Sequence, residues 1–168
     1  LITGLTAIYT PRDNMTNRLT IGYDLAQQEN RNLRPFGFSR APTGILSDQR
    51  SRFSNLTFDY VGTLDFGISD DLRSSFSWGG QSITEVINST TSYGDNFPGP
   101  GDPTVSTAGN TLGFEARQRV VTAGFFFQNL FDYKNKYFLT AGLRIDGNSA
   151  FGSDLGLQAY PKVSGSWV

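Results

Sequence analysis

Two charged residues near the end of the chain, Arg144 and Asp146, have a spacing that suits binding. They lie two positions apart, so their side chains share one face if this segment is a β-strand. A guanidinium and a carboxylate on one face can make charge-assisted hydrogen bonds to a solute or to another part of the protein. We therefore predict a contact site at this pair, with ordinary solvated surface residues as the alternative.

Two polar stretches, 30–50 and 91–118, hold the other candidate binding groups. Aromatic rings beside hydrogen-bonding groups can bind sugar rings or peptides. The alternative is that both stretches are loops with structural contacts only, which their Gly and Pro content favours. The residues predicted to contact a ligand are Arg34, Phe36, Phe38, Tyr93 and Phe97.

The composition removes most catalytic and metal-binding chemistry. Cys and His are both absent, which excludes disulfide scaffolds, thiol or imidazole catalysis and the usual zinc and haem ligands. A net charge of −1 offers no basic stripe for nucleic acid. We predict no enzyme activity, no cofactor and no nucleic-acid partner. A Ca²⁺ site in a loop, using Asp95, Asp102 or Asp154, stays an alternative.

Period-two alternation of apolar and polar residues predicts β-strands. The clearest segment runs from Asn55 to Ile68 and places on one face Leu56, Phe58, Tyr60, Leu64, Phe66 and Ile68. About seven such segments occur along the chain. Segment 119–128 carries apolar residues on both faces, so the pattern does not set its orientation.

The links between these segments alternate between short and long. Short links follow the segments that end near Tyr9, Ile68 and Phe131. Long links follow the segments that end near Gln28, Thr90 and Asp146. A membrane barrel has short turns at its periplasmic rim and long loops on the extracellular side. The pattern therefore predicts an all-β fold, a segment of an antiparallel transmembrane β-barrel.

A soluble β-sandwich is the alternative, because its strands also alternate. Three features favour the membrane. The segments exceed the usual strand length of about five or six residues. Aromatic residues, 14% of the chain, gather near the predicted strand ends, where a water interface would lie. The polar faces combine small hydroxyl residues and glycine with Arg and Asp, which suits a wet lumen.

A sheet of seven strands cannot stand open in a bilayer, because the unpaired N–H and C=O groups at its edges would face hydrocarbon. Single-chain bacterial barrels normally have an even number of strands. We therefore expect residues 1–168 to be one part of a larger barrel domain. The remaining strands and an export signal are expected outside this sequence.

Two linked motifs near the end of the chain resemble TonB-dependent outer-membrane transporters. The run KNKYFLTAGLRIDGNSAFG at 134–152 is followed by YPKVSGSW at 160–167. In this order they are similar to the SusC/RagA branch of that family. Asn148 and Ala150 stand where Ser and Arg are more common, and Ala159 stands where an aromatic residue is common.

The resemblance implies a barrel of about 22 strands, wide enough to need an N-terminal plug domain. It implies nutrient import across the bacterial outer membrane, driven by the TonB complex through an N-terminal region outside this sequence. A SusD-like surface lipoprotein is the expected partner, besides membrane lipid. The charged residues expected to face the lumen, where they would contact the plug or a solute, are Arg18, Asp24, Asp59, Asp65, Arg73, Arg144 and Asp146.

Other functions stay open at this point. A secreted β-sandwich adhesin or binding module would share the alternating strands, and a passive porin or a barrel enzyme would share the membrane wall. The sequence does not distinguish oligosaccharides, peptides and chelates as the cargo of a transporter.

Overall fold

The computed structural model describes residues 1–151 and 156–168, which form one seven-stranded sheet. The strands follow chain order across the sheet, each hydrogen-bonded to the next. Two short 3₁₀ turns occur, at Val105–Thr107 and Ser149–Phe151. The strands are β1 (Ile2–Arg12), β2 (Met15–Arg34), β3 (Ile45–Ser69), β4 (Leu72–Asp95), β5 (Asn110–Tyr133), β6 (Tyr137–Asn148) and β7 (Gln158–Trp167). The all-β prediction with about seven strands is confirmed.

Tight turns join β1 to β2, β3 to β4 and β5 to β6, as the sequence predicts. The first two links have two residues each, 13–14 and 70–71. In the third, Lys136 N–H donates to the carbonyl of Tyr133 at 3.1 Å. Lys134 and Asn135 have φ of 57° and 54°. Positive φ at both central positions is the type I′ form, whose twist matches the flanking strands.

Of the three long links that the sequence predicts, the link after β6 includes residues 152–155, which lie outside the described residues. The other two, which we call the long loops, are shorter than predicted. They span 35–44 and 96–109, where stretches of 30–50 and 91–118 were expected. The prediction of their bounds was wrong chiefly because the end of β2 and the start of β5 carry exposed residues on both faces. Alternation is the sequence signal for a half-buried strand, and a strand that is wet on both faces lacks it.

The pairing of β5 with β6 sets the orientation that the sequence left open. The two strands are antiparallel, with Phe125 opposite Ile145 and Phe127 opposite Leu143. Phe126 lies opposite Arg144. Because directly opposed residues share a face, Phe125 and Phe127 belong to the apolar face and Phe126 to the polar one.

The chain divides into two compact units, each containing parts of several strands. The loop unit contains both long loops and consists of residues 1, 24–54 and 86–119. The turn unit contains the three tight turns and consists of residues 2–23, 55–85 and 120–168, of which 152–155 lie outside the described residues.

The turn unit exposes its apolar face. Phe58 is 45% exposed, Phe66 43%, Phe125 64% and Phe127 50%. In the part of the chain that the structure describes, the fully buried hydrophobic side chains are Leu46 and Phe97, both in the loop unit. The turn unit therefore has no hydrophobic core of its own.

The described residues form no second sheet that could cover this apolar face. A β-sandwich needs two sheets whose apolar faces pack together. The β-sandwich alternative is therefore contradicted. No helix within residues 1–151 and 156–168 is both long and apolar enough to cross a membrane.

Candidate functional site

The predicted pair Arg144 and Asp146 forms an ion pair on β6. Arg144 Nε donates to both carboxylate oxygens of Asp146, each at 2.8 Å. The carboxylate lies over Gly124 of the adjacent strand β5, in space that the Cβ of any other residue would occupy. The glycine thus makes room for the pair, and the two charges neutralise one another.

Two other predicted lumen-facing charges, Asp59 and Arg73, make contacts within the turn unit. Asp59 accepts from Gln81 Nε2 at 3.4 Å. Arg73 binds Asp132 at 2.7 Å and also contacts Asn135, so it ties β4 to the β5–β6 turn. These contacts are local links between neighbouring strands. The negative charge of Asp59 also acts on Arg144, so Asp59, Arg144 and Asp146 lie near one another, whereas Arg73 makes a separate contact.

Phe97 serves the structure of the loop unit. Its side chain is 4% exposed, and its backbone N–H donates to the carbonyl of Thr43 at 2.9 Å. The ring packs over Gly44, where a Cβ would lie 3.2 Å from Phe97 Cδ2. Gly44 also has a φ of 77°, which a residue with a side chain rarely adopts. Phe97 therefore anchors loop 96–109 to loop 35–44.

Phe36 and Phe38 remain accessible on loop 35–44. They are 43% and 40% exposed. Backbone hydrogen bonds hold the loop in shape, from Gly37 N–H to the Pro42 carbonyl at 2.7 Å and from Ala41 N–H to the Phe38 carbonyl at 2.9 Å. Both rings are therefore accessible to a partner molecule. Their role in ligand contact stays a prediction.

Arg34 and Tyr93 line one recess of the loop unit, with a volume of about 350 Å³. Its other lining residues were not predicted from the sequence, although their alternate spacing along β2 and β3 indicates a shared polar face. We call this cavity the amide recess. It is lined by Asn30, Asn32, Arg34, Ile45, Ser47, Gln49 and Tyr93.

Tyr93 keeps its proton more firmly than an ordinary tyrosine. Desolvation is the main cause of its raised pKa, followed by the negative charge and hydrogen bond of Asp95, while Arg34 acts in the opposite direction. A tyrosine that stays protonated presents an O–H donor. The recess therefore combines a cation, a phenol and several side-chain amides.

Loop 96–109 is held to β2 by Arg31. The guanidinium donates to the Pro103 carbonyl at 2.7 Å and binds Asp102 at 3.3 Å. Asp95 accepts from Asn110 at 2.7 Å. Asp102 and Asp95 therefore have protein partners, and Asp154 lies outside the described residues. In residues 1–151 and 156–168 no three acidic side chains gather as they would around a metal ion.

The opposite side of the same strands is also polar, and its side chains pair with one another. Arg50 binds Glu29 at 3.1 Å and Asp48 at 3.3 Å. Ser51 and Ser89, which share a hydrogen bond at 3.1 Å, are polar residues on the same face as the amide recess. In the loop unit, both faces of the sheet therefore suit water.

The chain matches a known protein family along nearly its whole length. Residues 2–168 match the family described as TonB dependent receptor-like, beta-barrel. The chain belongs to this receptor barrel family. The resemblance found from the two C-terminal motifs is thereby confirmed.

Solved structures of related fold cover the same barrel segment. A structure of the RagAB peptide transporter superposes with a TM-score of 0.90 at 16% sequence identity. A structure of the RagAB peptide importer in its open-open state has a TM-score of 0.88 at 18% identity. In both cases 98% of this chain matches 19% of the other, so the receptor barrel segment spans about one fifth of their length. No curated protein matches the chain significantly.

Proposed function

We propose that this chain is part of the wall of a TonB-dependent outer-membrane transporter that imports nutrients. The observation that carries the proposal is the turn unit's exposed apolar face, which no second sheet of the described residues covers. An apolar face of this kind needs a solvent other than water. Transfer of one Leu or Phe side chain out of water is favourable by about 1.5–3 kcal/mol, so acyl chains stabilise the arrangement.

The lengths of the strands agree with a membrane wall that continues into water. A strand crosses the apolar layer in about 9–11 residues. β3 has 25 residues and β4 has 24. The residues in excess form the strand ends in the loop unit, whose two polar faces suit water and not lipid. We therefore place the turn unit in the bilayer and the long loops outside the cell.

A closed barrel requires further strands, because the free edges of an open sheet cannot face lipid. We propose that residues 1–168 are one part of a barrel of about 22 strands that surrounds a plug. Its TonB-contacting region and its SusD-like lipoprotein partner follow from the family resemblance. The titles of the RagAB structures favour peptides over oligosaccharides as cargo. Because the matching family and the structures of similar fold are receptors and transporters, we propose transport and not enzymatic turnover.

Spin labels test the membrane placement, because the chain contains no Cys of its own. Single Cys substitutions in the full-length protein, cleared of other reactive cysteines, compare Phe58→Cys and Phe127→Cys with their neighbours Thr57→Cys and Gln128→Cys. We expect labels at 58 and 127 to relax with oxygen, which concentrates in lipid, and labels at 57 and 128 to relax with a water-soluble nickel chelate. Nickel access at all four positions would contradict a lipid-facing wall.

Uptake measurements separate an active importer from a passive porin. In cells that express the full-length protein, we expect nutrient uptake to stop when TonB is deleted or the proton gradient is collapsed. Uptake that continues unchanged would establish passive diffusion and reject the importer proposal.

A further inference from the structure

We propose that the amide recess binds an extended peptide that carries a free carboxylate, with Arg34 holding the carboxylate and the side-chain amides holding the peptide backbone. This inference rests on the proposed transport function and gives a substrate class to one defined site. It is argued from four observations: polar side chains without protein partners, one guanidinium without an ion pair, the spacing of the amides and the surrounding surface.

The polar groups of the recess lack partners within the protein. In the part of the chain that the structure describes, no hydrogen bond or ion pair engages the side chains of Asn30, Asn32, Arg34, Ser47 or Gln49. On the other face of the same strands, Arg50 is paired with Glu29 and Asp48. These five side chains are therefore available to a ligand.

Arg34 forms no ion pair within the described residues. Arg34 is the charged residue in the lining. Asp95 is the carboxylate beside Tyr93, and the side-chain amide of Asn110 already donates to it at 2.7 Å. An arginine fork matches a carboxylate with two parallel hydrogen bonds. The recess therefore selects a ligand that has an anionic group at one end.

The spacing of the amides matches an extended peptide. Asn30 and Asn32 occupy alternate positions of β2, so they repeat about every 6.6 Å. The peptide groups on one side of an extended chain repeat at the same distance. Each side-chain amide has two donors and one acceptor oxygen, which complement the C=O and N–H of a peptide group. Arg34 follows at the next alternate position and continues the row.

The surroundings of the recess also suit a peptide. Ile45 provides an apolar wall, and Tyr93 provides an aromatic ring. Phe36 lies two residues after Arg34 along the chain and is 43% exposed. These groups can contact side chains of a peptide while the amides hold its backbone. The site is therefore suited to many sequences and to one backbone shape.

Binding to the full-length protein in detergent tests the inference. The probes are a fluorescent alanine-serine hexapeptide with a free C-terminus, the same peptide with a C-terminal amide, and fluorescent maltohexaose, each followed by anisotropy. We expect Arg34→Gln to weaken binding of the free-acid peptide by about tenfold and to leave binding of the amidated peptide unchanged. The reason is that only the charge-assisted hydrogen bond to the carboxylate is lost. Arg34→Lys should restore most of the affinity.

The amide row has its own matched control. Asn30→Ala with Asn32→Ala should weaken both peptides by about tenfold. Gln27→Ala with Asn88→Ala removes two side-chain amides from another cavity of the loop unit and should change nothing. Equal losses in both double variants, or unchanged peptide affinity in the recess variants, would overturn the inference. Maltohexaose binding that depends on the recess residues would replace the peptide with a glycan.

The two proposals fail in distinguishable ways. If spin labels and TonB-dependent uptake behave as expected while the recess variants bind normally, the transport function stands and the peptide site is rejected. If the labels show that the turn unit does not face lipid, the transport proposal is rejected whatever the recess binds.

Discussion

Phe97→Ala is the substitution that most directly tests how the long loops are held. Phe97 is 4% exposed, whereas most large hydrophobic side chains of the chain are exposed. Burying a Phe side chain is favourable by about 1.5–3 kcal/mol. Truncation in a packed site also leaves a cavity, so Phe→Ala in protein cores costs about 3–5 kcal/mol. Gly44 beneath the ring cannot fill that cavity, because it has no side chain.

The remaining contacts of loop 96–109 are weaker. The ion pair between Arg31 and Asp102 has side chains that are 45% and 88% exposed, and such exposed pairs contribute about 0–1 kcal/mol. Loss of the Phe97 ring should therefore open the loop pair locally. With a loss of about 3 kcal/mol, protected loop amides should exchange about 100-fold faster, since every 1.4 kcal/mol is a factor of ten.

Hydrogen exchange measured by mass spectrometry on the full-length protein in detergent reads this change. The amides to follow are those of residue 97 and of Gly109, whose N–H donates to the Asn96 carbonyl at 3.0 Å. Lys134 N–H, bonded to the Asp71 carbonyl in the turn unit, should keep its rate. The matched control is Phe38→Ala, because Phe38 is 40% exposed. Unchanged exchange in Phe97→Ala, or equal acceleration in Phe38→Ala, would refute the anchoring role.

Three further predictions concern other positions. Gly124→Ala should lower the unfolding temperature, because the new methyl group displaces the Asp146 carboxylate, and in an Asp146→Ala background the same change should cost little. Lys134→Gly should be more stable than Lys134→Ala by about 1 kcal/mol, because both variants lose the ion pair with Asp71 and only glycine adopts the positive φ of 57° without strain. In an ultraviolet pH titration Tyr93 should ionise above its ordinary pKa of 10.0, and Asp95→Asn should lower that pKa. Since the raised pKa favours the protonated form in the folded state, its stabilising contribution is present below pH 10 and is lost at higher pH.

Each of these predictions has a neighbouring control. Gly113→Ala should leave stability nearly unchanged, because a Cβ there meets nothing within 4 Å. Lys136→Gly should not be more stable than Lys136→Ala, because residue 136 lacks a positive φ. An advantage of glycine over alanine at residue 136 equal to that at residue 134 would show that turn strain is not the cause. If Asp95→Asn left the pKa of Tyr93 unchanged, the Asp95 carboxylate would not be a cause of its raised value.

The sequence alone determined the elements of the turn unit. In Asn55–Ile68, one face meets an apolar solvent and the other a polar one, so the residues alternate and reveal both the strand and its faces. The tight links at 70–71 and 134–136 follow from their polar turn residues. Even the polar pair Arg144 and Asp146 could be placed on one face, because strand parity is a local property of the chain.

The strand bounds, the buried residues and the recess of the loop unit became evident only from the tertiary structure. Where both faces are wet, composition does not distinguish strand from loop, so the ends of β2 and β5 could not be predicted. Nothing local marks Phe97 as buried while Phe36 and Phe38 stay exposed, since burial depends on Gly44, which lies more than fifty positions away along the chain. The amide recess likewise combines side chains of three strands. Whether a polar side chain has a partner within the protein depends on which strands lie beside it, which the local sequence does not specify.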